Sequence, residues 1–130
     1  MLRRDLMTAE MQKLAQVLAR IMGLKLEGKL EEADDLFKES LLKEFEITEE
    51  DLLSDSNTKF NTLLQQKEYP AEKLDTLSQF LYADLSPSHE PERNKLIAEK
   101  LLLIYKMLEE QHHIISMVNL DRQKKIQRYL

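Results

Sequence analysis

Apolar residues recur along the first part of the chain at alternating spacings of four and three, the pattern of a helix that buries one face. The first stripe consists of Met7, Met11, Leu14, Leu18 and Ile21. It predicts a helix that begins near Asp5, whose carboxylate suits an N-cap, and that runs to Met22. Gly23 is expected to end this helix, because glycine readily adopts the left-handed conformation found at helix ends.

A second apolar stripe follows after only a few residues. It is made of Leu30, Ala33, Phe37 and Leu41, with Leu36 and Phe45 widening the apolar face. Because the segment between the stripes is so short, we predict that the two helices fold back on each other as an antiparallel hairpin. This hairpin, hairpin one, spans about residues 5–45, with Gly28 just before its second helix.

The middle of the chain indicates two short connecting helices over about residues 48–68. Thr48 precedes three acidic residues and suits the cap of the first one. Phe60, Leu63 and Leu64 mark the apolar face of the second. Pro70 ends this region, because the residue before a proline disfavours helical backbone angles.

Hairpin two is predicted over about residues 70–111. Its first helix starts at Pro70 and carries a stripe of Leu74, Leu77 and Leu81. The loop lies at residues 86–91, which are rich in serine and proline. The next helix, from about Glu92 to Gln111, is apolar nearly all round, so we expect it at the centre of the fold.

A C-terminal helix is predicted over about residues 119–130. Asn119 suits its N-cap, and Ile126 is expected to pack inward while the basic residues face out. The apolar segment 114–118 precedes it and must be covered by something, which makes a homodimer through this segment one of our expectations.

The predicted fold class is all-α: antiparallel helical hairpins forming one domain over residues 1–130, with about five to seven helices. Composition supports this fold class, since the chain holds only two glycines, three prolines and no cysteine. Scarce glycine argues against β-sandwiches and barrels, which turn often. The absence of cysteine excludes a disulfide scaffold and a cysteine–histidine zinc finger.

Parts of the chain resemble a known family. Gly28, Ala33 and Phe37 fall where the tetratricopeptide motif has a turn residue, a small packing residue and a large one. The opening 2–5, this hairpin and the ending 121–126 together are similar to a bacterial all-helical family described only as a domain of unknown function. The resemblance implies a small tetratricopeptide-like protein, a right-handed helical stack or small bundle. It implies no activity, cofactor or catalytic residue.

Charge is distributed unevenly around a net value of −5. Residues 31–60 hold eleven acidic and three basic side chains, whereas residues 1–30 and 116–130 are both net basic. Solvated helix surfaces account for much of this pattern. A sharper hypothesis is that Arg3, Arg4 or Arg122 reaches acidic groups across the fold and holds the chain ends together.

One segment has the spacing of metal ligands. Residues 109–113 contain Glu-x-x-His twice, which makes Glu109, His112 and His113 weak metal candidates for an all-helical metal-binding protein or enzyme. Metal sites in helical bundles need a second such helix and further glutamates. Adjacent histidines also point about 100° apart on a helix. We therefore expect histidines at a polar helix end, with no metal or other cofactor.

Nucleophilic catalysis lacks the residues it needs. The chain has no cysteine and no Gly-x-Ser-x-Gly elbow, and two isolated glycines cannot form a phosphate-binding loop. We accordingly predict no catalytic residue and a protein that is not an enzyme.

The function expected from the sequence is a non-enzymatic helical interaction or scaffold module that binds a protein or peptide. Tyr82, Tyr105 and Met107 are candidate partner contacts, although core packing also explains them. Nucleic-acid binding by the basic C-terminal helix is an alternative that the low pI of 5.3 disfavours. The basic side chains involved would be Arg122, Lys124, Lys125 and Arg128.

The location expected from the sequence is the cytoplasm. The first residues are charged and carry no apolar signal-peptide centre. The longest apolar run is far shorter than the ~20 residues that span a bilayer, so we expect no membrane contact.

Overall fold

A computed structural model describes the backbone of residues 2–130 and the side chains of residues 8–130. Over this part of the chain the fold is all-helical, as predicted, with no strand and with helices packed against one another. The helices are α1 (Leu2–Leu26), α2 (Leu30–Phe45), α3 (Glu49–Leu52), α4 (Asn57–Lys67), α5 (Ala71–Asp84), α6 (Pro91–His112) and α7 (Met117–Ile126). A C-terminal 3₁₀ turn follows at Gln127–Tyr129.

Helices α1 and α2 form the first hairpin, but α1 is longer at both ends than the sequence predicted. It begins at Leu2, so Asp5 lies inside the helix and is not its N-cap. It also continues through Gly23 to Leu26. Gly28 is the residue in the left-handed conformation, with φ of 78°. The N–H of Lys29 donates to the carbonyl of Leu24 at 2.9 Å, the hydrogen bond of a Schellman motif, so the helix stops where that motif can form.

Two short helices, α3 and α4, connect the hairpins and lie within residues 48–68. Thr48 caps α3 in a reciprocal capping box: its Oγ1 accepts from the Asp51 N–H at 3.0 Å, and its own N–H donates to the Asp51 carboxylate at 3.1 Å. Ser56 caps α4 without the reciprocal bond: its Oγ accepts from the N–H of Lys59 at 3.2 Å. Both helices pack against α6.

Helices α5 and α6 form the second hairpin close to its predicted bounds. Pro70 is the cap residue before α5 rather than its first helical residue, while Pro91 occupies the first turn of α6. Helix α5 contacts α1 and α2 of the first hairpin as well as α6. The two hairpins therefore join along α5.

Helix α7 begins two residues earlier than predicted. Ser116, not Asn119, is its N-cap and accepts from the Asn119 N–H at 3.0 Å. Asn119 is buried instead, and its side-chain amide donates to the Asp75 carboxylate on α5 at 3.0 Å. The polar side chain serves a contact between helices, which sequence periodicity does not distinguish from a cap.

The buried apolar side chains of both hairpins form one core. Phe45 of α2 lies at its centre, with ring centroids 5.5 Å from Phe80 and 6.1 Å from Tyr69 in edge-to-face geometry. The Tyr69 hydroxyl donates to the Phe45 carbonyl, and burial raises the pKa of Tyr69. Among the described helices, none has the length and apolar character needed to cross a membrane.

Candidate functional site

The three predicted partner contacts lie in different environments. Tyr105 and Met107 are in the core, with 2% and 6% of their surface exposed, which is the core packing that the sequence also allowed for them. Burial raises the pKa of Tyr105 to about 12. Tyr82 alone is partly exposed, on α5 beside α7.

The predicted metal candidates do not converge. Helix α6 ends at His112, and His113 takes the left-handed conformation with φ of 55°, so the helical spacing between Glu110 and His113 is lost. Glu109 and His113 are exposed. Among the described side chains, Glu109, His112 and His113 belong to no group of ligand atoms close enough to share an ion.

A charged junction that the sequence did not indicate lies between the two hairpins. It consists of Asp34 on α2, Asp84 at the end of α5, His89 in the following loop and Arg93 on α6. Nε2 of His89 is 3.5 Å from Oδ1 of Asp34. The Asp84 side chain is 2% exposed and pairs with the Arg93 guanidinium. Burial raises the pKa of Asp84, and the hydrogen bond and charge of Arg93 oppose that rise.

This junction has the ligand types of a cation site, since one atom each of Asp34, Asp84 and His89 lie within 4.8 Å of one another. The Arg93 guanidinium, however, already supplies a positive charge to the buried carboxylate. We therefore interpret the junction as a structural contact that holds α2, α5 and α6 together. Residues from three helices and one loop meet there, so no local motif could have identified it.

Two further contacts fix the same end of the molecule. Nζ of Lys25, in the last turn of α1, donates to the carbonyls of Ala83 and Leu85 at the end of α5. The side-chain amide of Asn94 donates to the Ser86 carbonyl at 2.8 Å. The loop between α5 and α6 is thus held from both hairpins.

Lys100 on α6 is a fully buried cation, and among the described side chains no carboxylate oxygen lies within ion-pair distance of its Nζ. Its Nζ donates to the Ser54 carbonyl and, at 3.2 Å, to Oδ1 of Asn57, and lies 5.9 Å from the Phe60 ring centroid. Burial lowers the pKa of Lys100, while the more distant charges of Glu99 and Asp55 oppose that effect. These contacts hold the connection between α3 and α4 on α6.

The outward face of α7 combines apolar and basic side chains. Exposed apolar residues gather before and within its first turn, with Met117 83% and Ile115 64% exposed. Exposed basic residues follow in the last turn of α7 and in the 3₁₀ turn after it. We call this set the α7 surface; its members are Ile115, Met117, Val118, Leu120, Lys124, Lys125 and Arg128.

A groove lies beside the C-terminal half of α7. It encloses about 360 Å³ and is lined by Tyr82, Leu85, Lys125, Arg128 and Tyr129. Arg122 forms part of its frame, with its guanidinium carbon 4.5 Å from the Tyr82 ring centroid. Arg122 was predicted to reach an acidic group across the fold, but the contact described for it is with an aromatic ring. The side chains of Arg3 and Arg4 lie outside the described residues.

Comparison with known proteins adds no family assignment. No protein-family model, curated protein or solved structure matches this chain. The resemblance noted in the sequence therefore has support only for the all-helical fold. Function has to be inferred from the surfaces and contacts described above.

Proposed function

We propose that this protein is a non-enzymatic helical interaction module that binds another protein through the α7 surface. The observation that carries the proposal is the exposed apolar cluster of Ile115, Met117, Val118 and Leu120. Contiguous exposed apolar residues rimmed by polar ones are typical of protein contacts. The rim is basic on the C-terminal side, where Lys125 and Arg128 follow, whereas Glu109 lies beside Ile115 on the other side. The basic side favours a partner segment that is apolar and, where it meets Lys125 and Arg128, acidic.

The helix that carries this surface is fastened to the rest of the fold. Ile126 is buried, Asn119 bonds Asp75, and Arg122 lies over Tyr82. These three contacts anchor the inner side of α7 along its length. An interaction surface on a rigid element loses less conformational freedom on binding than one on a loop.

The finer features expected from the sequence belong to this proposal. We propose that hairpins one and two stack in a tetratricopeptide-like manner, supported by the packing of α1 against α5. We also propose a bacterial protein that acts in the cytoplasm. In stacked helical hairpins, exposed surfaces bind extended or helical segments of other proteins.

Site-specific photo-crosslinking tests the proposal. A benzoylphenylalanine side chain replaces Met117 on the α7 surface, or Lys43 on the exposed side of α2 as the matched control. The proposal expects one dominant protein adduct from position 117 that is absent from position 43. The identified protein, once purified, should bind the chain, and Leu120→Asp should weaken that binding at least tenfold. Equal adducts from both positions would contradict the proposal.

Self-association is the competing use of the same face. Multi-angle light scattering across a concentration series measures it directly. A monomer at all concentrations supports a partner of a different sequence. A dimer that Leu120→Asp dissociates would replace that partner by a second copy of this chain.

A further inference from the structure

The groove beside α7 has walls suited to an apolar side chain. Tyr82 and Leu85 come from α5 and its end, and Tyr129 from the C-terminal 3₁₀ turn. The volume of about 360 Å³ is at the small end of binding pockets. It suits one or two side chains of a longer segment.

The charged groups that line the groove are both cationic. Lys125 and Arg128 are exposed at its rim, and Arg128 lies 5.3 Å from the Tyr129 ring centroid. Asp121 offsets part of this charge, pairing with Lys125 at 2.9 Å on the exposed surface. An exposed pair of this kind is weak and can be exchanged for another carboxylate.

The groove is continuous with the α7 surface. Val118, Arg122 and Lys125 follow one another at spacings of four and three, which places them along one side of the helix. A segment that covers the apolar first turn of α7 can therefore continue along this side into the groove.

We infer that this groove binds an acidic segment of a partner protein, with one apolar side chain between Tyr82 and Tyr129 and carboxylates on Lys125 and Arg128. The inference rests on the proposed function and specifies its partner. Charge complementarity selects acidic over basic segments, and the aromatic walls select a segment with an apolar anchor over a purely polyanionic ligand.

Fluorescence anisotropy with a defined probe tests this inference. The probe is a short fluorescein-labelled peptide of glutamates with two leucines one helical turn apart. Two comparison peptides replace either its glutamates by glutamine or its leucines by serine. We expect the probe to bind, each comparison peptide to bind at least tenfold more weakly, and added salt to weaken probe binding.

Charge reversal in the protein locates the site. Lys125→Glu with Arg128→Glu should weaken probe binding at least tenfold. Lys59→Glu with Lys106→Glu changes the net charge equally at exposed positions on α4 and α6 and should leave binding unchanged. Circular dichroism confirms that both double variants keep their helices. Equal loss in both pairs would overturn the inference, because it would show an effect of overall charge.

The remaining outcomes separate this inference from the proposed function. If the probe binds and inorganic phosphate displaces it, the groove is a general anion site and the inference is wrong. If the partner crosslinked at position 117 binds the Lys125→Glu, Arg128→Glu variant as tightly as the parent, the inference fails while the proposed function stands. If the probe binds as expected and no specific adduct forms at position 117, the proposed function fails.

Discussion

The Arg122 guanidinium lies over the ring of Tyr82, 4.5 Å from its centroid, and so joins α7 to α5. Tyr82 also lines the groove that Lys125 and Arg128 border. The contact between Arg122 and Tyr82 therefore holds α7 on α5 and fixes one wall of the groove in the proposed binding surface. Loss of this one contact should therefore affect both stability and the position of the groove wall.

Arg122→Ala should lower the free energy of unfolding by about 1 kcal/mol, the range of a partly desolvated cation–π contact. A double-mutant cycle with Tyr82→Leu isolates the contact from other effects of each substitution. Lys124→Ala, at an exposed position of the same helix, is the control and should have little effect. Denaturant unfolding measures all four proteins. Strictly additive losses would show that the two side chains do not interact.

Arg93→Met should destabilise the protein by about 3 kcal/mol at neutral pH, because it leaves the buried Asp84 carboxylate without its cation. Asp84→Asn should cost less, since Arg93 retains some exposure to solvent. The pKa of Asp84 is already raised by burial, so in Arg93→Met the folded state takes up a proton more readily than the unfolded state.

The pH dependence of the stability of Arg93→Met follows from the raised pKa of Asp84 in the folded state. Its deficit relative to the parent should shrink as pH falls from neutral towards the ordinary range of aspartate, because protonation neutralises the buried carboxylate. Unfolding curves at several pH values measure the difference. A deficit that grows on acidification would contradict this account of the junction.

The contribution of Lys100 to the free energy of unfolding should instead increase as pH rises, at alkaline pH. Because burial lowers the pKa of Lys100, the unfolded chain binds more protons than the folded one between that lowered value and the unfolded pKa of about 10.4. The parent should gain stability relative to Lys100→Met as pH rises through this window. Lys106→Met, which removes an ammonium group at an exposed position of α6, is the control variant. A flat difference for Lys100→Met would mean that this ammonium is solvated.

The two glycines should respond oppositely to alanine. Gly28→Ala should cost about 1 kcal/mol, because φ of 78° strains a residue with a Cβ. Gly23→Ala should stabilise α1 by up to ~1 kcal/mol, since Gly23 is helical and nothing lies within 4 Å of an added Cβ. Thermal unfolding of both variants tests the pair. Stabilisation by Gly28→Ala would contradict the assignment of the α1 terminus.

The helices and their approximate bounds were predictable because amphipathic spacing repeats within each of them. The C-terminus of α1 and the N-terminus of α7 were not predictable. By residue type, Gly23 and Gly28 are equally suitable to end α1, and Ser116 and Asn119 are equally suitable to cap α7. Tertiary contacts decided between them, as in the bond from Asn119 to Asp75.

The site residues were less predictable than the fold. Tyrosine and methionine are residue types suited to an exposed contact surface. Tyr105 and Met107 are nevertheless both buried, because other parts of the fold cover α6 where they lie. The charged junction joins side chains that are far apart in the sequence, from Asp34 to Arg93. The groove was partly indicated, because Tyr82 and the basic C-terminal residues were both candidates, but their proximity depends on how α7 packs.

Over residues 2–130, three helices end at left-handed residues other than glycine, namely Glu46, Glu68 and His113. Each such conformation costs a residue with a Cβ about 1 kcal/mol relative to glycine. The same backbone would therefore be more stable with glycine at these positions. Glu68→Gly, at a residue outside both the groove lining and the α7 surface, would supply a reinforced background. In that background, α7 variants could be compared by binding alone, free of losses from partial unfolding.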